Sequence, residues 1–77
     1  MNRDTRAFRG KVIEKYGTIS SFANAMNWSQ RKASYITTGR QDMTATEIED
    51  CAEALGVENA HEFVRVFYPL MSIKWTA

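Results

Sequence analysis

Seventy-seven residues give room for one domain and exclude a second. One cysteine and one histidine cannot form an internal disulfide and fall short of the three or four ligands of a zinc site, and no apolar run approaches the roughly 20 residues of a membrane span. The formal net charge of +1 conceals a division, because residues 1–41 carry eight basic against two acidic side chains, a balance of +6, whereas residues 42–77 carry two against seven, a balance of −5. A basic half suits a polyanion, and an acidic half suits solvent or a partner.

The chain reads as a succession of helices punctuated by Gly17, Gly39 and Gly56. Before Gly17, Phe8, Val12 and Tyr16 stand four apart and form one apolar stripe, with Ala7 and Ile13 beside it. Gly10 within this first helix costs about 1 kcal/mol relative to Ala. Thr18 can cap a second helix over about residues 18–26, where Ile19, Phe22, Ala23 and Met26 recur at helical spacing. Asn27 tolerates a positive φ better than most residues with a side chain, so a tight turn is expected there. Ser29 can then cap a third helix over about residues 29–38, whose inward residues are Ala33 and Ile36.

Further on, Thr44 and Glu47 have the spacing of a capping box, followed by Ile48, Cys51, Ala52 and Leu55 on one face. Asn59 and Glu62 repeat that spacing before a fifth stripe of Phe63, Val66 and Phe67, which Pro69 should end. The expected fold is therefore all-α, with five helices in a domain of residues 1–69 and no need for strands. Residues 70–77 form an apolar tail, with Leu70, Met71, Ile73 and Trp75, too short for a core of its own and expected to pack on this domain or on a second copy. A chain of this size buries a small fraction of its surface, so a homodimer is expected.

The chemistry concentrates between Thr18 and Gly39. A helix that reads DNA must pack its back and present polar side chains in its first turns to the base edges of the major groove. Ser29, Gln30, Arg31 and Ser34, with Lys32 and Tyr35 beside them, meet that demand; Gln can pair with adenine and Arg with guanine through two hydrogen bonds each. The competing reading is an ordinary solvated helix face, the commoner fate of surface charges. Trp28 at the turn is read as core packing, Cys51 on the fourth stripe as a small buried hydrophobe, and His61 as a surface or capping residue. No Gly-rich phosphate loop, carboxylate pair or nucleophile pattern is present, so neither an enzyme nor a cofactor is expected.

The run Ile19-Ser20-Ser21-Phe22-Ala23-Asn24-Ala25-Met26-Asn27-Trp28-Ser29-Gln30-Arg31-Lys32-Ala33-Ser34-Tyr35-Ile36-Thr37-Thr38-Gly39 resembles the helix-turn-helix of phage repressor and Cro-type regulators, the XRE family, above all small Gram-positive phage regulators. The resemblance covers about residues 6–67. In that family a Leu-Ala pair, a Gly-apolar-Ser-Gln turn and a closing Gly stand where this chain has Phe22-Ala23, Asn27-Trp28-Ser29-Gln30 and Gly39. It implies a lambda-repressor-like DNA-binding domain that contacts bases or phosphates of a double-stranded operator through Ser29, Gln30, Arg31, Ser34 and Tyr35. Lys32 belongs to the same candidate set, with backbone contacts near Thr38 and Arg40 and dimerisation through the last helix and tail.

The expected function is thus a transcriptional regulator of a phage or prophage, in the cytoplasm of a bacterial host, with the basic side chains Arg6, Lys11 and Arg40 on phosphates. Three features depart from the pattern: Ile19 stands where many members have a phosphate-clamping Gln, Asn27 replaces the usual turn glycine, and Trp28 is larger than the usual Val or Leu. Ile19, the low net charge of +1, the acidic second half and the apolar tail with Trp75 keep a rival open, an antirepressor of the same fold that binds a phage repressor protein and masks its DNA-reading surface.

Overall fold

The computed structural model describes residues 4–70, and every regular element among them is helical. The order is α1 (Arg6–Tyr16), α2 (Ile19–Met26), α3 (Gln30–Thr37), α4 (Ala45–Ala54) and α5 (Ala60–Phe67), followed by a single 3-10 turn at Tyr68–Leu70. The five expected helices are present in order, and no strand occurs among the described residues.

Local chemistry sets the helix ends. α2, α3, α4 and α5 each begin on a side-chain oxygen that accepts an amide of the first turn: Thr18 from Ser21, Ser29 from Lys32, Thr44 from Glu47 and Asn59 from Glu62. The box at Thr44 is complete, because Glu47 Oε1 accepts the Thr44 amide in return at 2.9 Å. α1 has no side-chain cap. At the other ends, Asn27 (φ 60°), Gly39 (φ 82°) and Gly56 (φ 70°) take left-handed conformations. The residue after each donates its amide back into the helix, Trp28 to Ala23 at 2.9 Å, Arg40 to Tyr35 at 2.8 Å and Val57 to Ala52 at 2.9 Å. These bonds satisfy carbonyls that a helix end otherwise leaves to water.

The core is aromatic at its centre. Phe22 of α2 meets Phe8 edge-on at 6.0 Å between ring centroids, Tyr16 at 5.5 Å and Trp28 at 5.7 Å, and Phe8 reaches Phe67 of α5 at 5.8 Å. Val12, Ile36, Cys51, Leu55 and Val66 fill the space around these rings, each at most 2 % exposed. Thr37, also buried, keeps its hydroxyl satisfied by donating to the Ala33 carbonyl at 2.8 Å. Polar links close the bundle: the Tyr16 hydroxyl donates to the Ala54 carbonyl at 3.0 Å, and Lys11 Nζ pairs with Glu62 at 3.0 Å.

α5 ends at Phe67, and Pro69 lies within the 3-10 turn. Leu70, assigned to the tail on sequence grounds, is only 7 % exposed and packs into the core, so the domain extends at least to that residue. The rest of the apolar tail, residues 71–77, lies outside the described residues.

Candidate nucleic-acid interface

Three residues separate α2 from α3, and their conformations are explained by the groups they hold. Asn27 supplies the left-handed turn, Trp28 folds back edge-on against Phe22, and Ser29 caps α3. At 100° per residue, Ala33, Ile36 and Thr37 form the buried side of α3, and Arg31, Ser34 and Tyr35 fall on the opposite, exposed side. Gln30 and Lys32 occupy the two flanks.

Each flank is tied to a different neighbour. Gln30 Nε2 donates to Ser20 Oγ of α2 at 2.9 Å, which uses one of the two N–H groups of the amide. Lys32 Nζ forms an ion pair with Glu47 of α4 and sits 5.1 Å from the ring centroid of Trp28. The Lys32 ammonium first, and the Thr44 amide second, hold the Glu47 carboxyl below its ordinary range. Between these flanks, the Arg31 guanidinium lies over the Tyr35 ring at 5.8 Å, one turn further along the helix.

The other candidates are distributed as follows. Ser29 Oγ accepts the Lys32 amide at 3.1 Å, and Thr38 turns its hydroxyl back onto the Ser34 carbonyl at 2.7 Å, so both hydroxyls serve the helix ends. Arg40 is exposed just past Gly39. Of the three residues expected on phosphates, Lys11 is engaged by Glu62 and Arg6 by Asp4 at 2.9 Å. Among the described residues, Arg31 and Arg40 form no ion pair. The exposed patch therefore comprises Gln30, Arg31, Ser34 and Tyr35 with Arg40 at its end, and Lys32 faces α4. Sequence reasoning missed Ser20 and Glu47 as partners of this helix; neither has a local signal, since they lie 10 and 15 positions from Gln30 and Lys32.

The surface of α4 is opposite in character. Glu49, Asp50 and Glu53 are exposed, and Asp50 and Glu53 line a shallow cleft of about 260 Å³ with Ala25, Met26 and Ala54. Burial and the neighbouring carboxylates of Glu47 and Asp50 push the Cys51 thiol up to about 12, and its Sγ rests 3.6 Å from Met43 Sδ, so it is a packed, unreactive group at neutral pH. Among the described residues no cluster of three or more His, Cys, Asp or Glu side chains is placed to hold a metal ion, and no helix is long and apolar enough to cross a membrane.

No curated protein and no solved structure matches the chain. The family described as Protein of unknown function (DUF739) matches residues 1–68, a stretch that contains all five helices, and the chain belongs to that family.

Proposed function

We propose that this protein is a sequence-specific DNA-binding transcriptional regulator of a phage or prophage, in which α2, the turn and α3 act as a lambda-repressor-like helix-turn-helix. One observation carries the reading: α3 is packed on one side and exposes Gln30, Arg31, Ser34 and Tyr35 on the other, immediately after a three-residue turn. A helix with such a face fits the major groove, where each base pair shows a distinct pattern of donors and acceptors. Arg31 is the candidate reader of guanine, and Gln30, steadied by Ser20, of adenine. Arg40 would meet a phosphate beyond the end of the helix.

The protein acts as a homodimer, with two copies of α3 entering successive major grooves about 34 Å apart. Val64 on the outer side of α5 and Tyr68 at the start of the 3-10 turn that follows it, each 54 % exposed, offer an apolar surface for that association. The test is a mobility shift on DNA from the protein's own gene neighbourhood, with excess nonspecific competitor, at two salt concentrations. A discrete, competitor-resistant complex that weakens steeply with salt supports the reading. Unchanged sequence preference in both Gln30→Ala and Arg31→Ala would remove the assignment of the base readers.

A second reading is favoured by the acidic cleft between α2 and α4, which suits a basic protein surface. In that case the protein is an antirepressor that covers the DNA-binding surface of a phage repressor. Absence of a specific DNA complex, together with capture of the neighbouring repressor in a pull-down, would select it.

A further inference from the structure

Lys32 and Arg31 are adjacent basic residues of one short helix, and the structure gives them different work. The Lys32 ammonium is held between Glu47 and the face of Trp28, and both anchors are themselves fixed. Glu47 Oε1 accepts the Thr44 amide at the start of α4, and Trp28 is wedged edge-on against Phe22. α3 packs chiefly on α2, and α4 packs on α2 as well, without extensive direct packing between α3 and α4. The Lys32–Glu47 pair is thus the polar tie on the open flank of α3, opposite the Gln30–Ser20 tie. Two ties on opposite flanks resist rolling of the helix about its axis. With side-chain tips about 6 Å from the axis, a roll of about 20° displaces a tip by about 2 Å, enough to spoil a two-hydrogen-bond contact with a base.

We infer that Lys32 is a positioning residue and not a DNA contact: its pair with Glu47 sets the roll of α3 and so makes Glu47, a residue of α4, a determinant of DNA affinity. The inference rests on the DNA-reading proposal above. It reverses the usual expectation for charge, by which removing an acidic residue near a DNA interface tightens binding.

Glu47→Gln is the discriminating variant, since Gln preserves the capping-box acceptor and removes only the ionic partner of Lys32. Wild type, Lys32→Met, Glu47→Gln and the double variant are compared by thermal unfolding. Their binding is measured, across a range of salt, to a duplex that the wild-type chain selects from a randomised pool. Each single variant should weaken binding about two- to fivefold, as loss of a partly exposed ion pair would. The double variant should be no weaker than either, and all four should share one salt slope. Binding that is equal or tighter in Glu47→Gln, or a salt slope about one unit shallower in Lys32→Met, would overturn the inference and return Lys32 to the phosphates. Specific binding with no coupling between the two substitutions in thermal unfolding would overturn it too. Coupling in a wild-type chain that selects no duplex would instead defeat the DNA-reading proposal, and the positioning role with it.

Discussion

α3 and α4 start alike and end alike. Each opens on a hydroxyl cap and each is followed by a left-handed glycine whose successor bonds back into the helix. Yet α3 turns Arg31, Ser34 and Tyr35 to solvent, whereas α4 turns out Glu49, Asp50 and Glu53. The shared devices build the backbone, and the residues on the outward faces decide what each helix can meet. Where the two fields adjoin, Lys32 and Glu47 neutralise one another. That leaves Arg31 as the unpaired cation of α3 among the described residues.

The largest effect should come from beneath both helices. Phe22 is fully buried against the rings of Phe8, Tyr16 and Trp28 and belongs to the core cluster that also holds Ile36 of α3 and Cys51 of α4, so Phe22→Ala opens the core into which both helices pack. Denaturant unfolding should show a loss of about 3–5 kcal/mol, a large part of the stability of so small a domain. A midpoint close to wild type would mean that the aromatic centre is not the common support.

A smaller and more selective effect should separate the two faces. Arg31→Ala is expected to weaken specific DNA binding by about 1–3 kcal/mol, read by mobility shift, with the unfolding midpoint unchanged. Asp50→Asn combined with Glu53→Gln should leave that binding as tight or tighter, because it removes negative charge without touching α3. Equal losses from both helices would show that the faces do not differ in function.

The shared backbone devices can be tested through two glycines, because Gly56 and Gly10 should respond to alanine with opposite signs. Gly56 has φ 70°, so Gly56→Ala should cost about 1–2 kcal/mol of stability even though no atom lies closer to the new methyl than Lys15 Nζ at 3.8 Å. Gly10 sits inside α1, where an added methyl group would meet nothing within 4 Å, and Gly10→Ala should stabilise by about 0.5–1 kcal/mol. Both are measured by thermal unfolding.

The smallest effect concerns acid. Lys32 and the Thr44 amide lower the Glu47 carboxyl in the folded chain, so the unfolded chain binds more protons there as pH falls. Its stabilising contribution is complete above the unfolded value of about 4.3 and disappears as pH drops through the lower folded value. The stability difference between wild type and Lys32→Met, measured by urea unfolding from pH 7 to pH 3, should therefore shrink towards the acid end. A difference that stays constant would show that the pair adds nothing to the stability of the fold.

The helices and their limits were legible in the order of residues alone. Thr18, Ser29, Thr44 and Asn59 mark the starts, and Asn27, Gly39 and Gly56 the left-handed stops. Those signals can be read because caps and stops act between residues only a few positions apart. The outward face of α3 was legible for the same reason, since a period of 3.6 separates Arg31 and Ser34 from Ala33 and Ile36. It took the packing of the helices to settle that Lys32 would leave this face for Glu47, that Lys11 would be engaged by Glu62, and that Gln30 would be steadied by Ser20. Packing also decided between the two surfaces open to Leu70, which joins the core of its own domain. Each of these outcomes depends on which helices lie side by side, and a residue's charge and place in the chain say nothing of which opposite charge or cavity the packing will bring within reach.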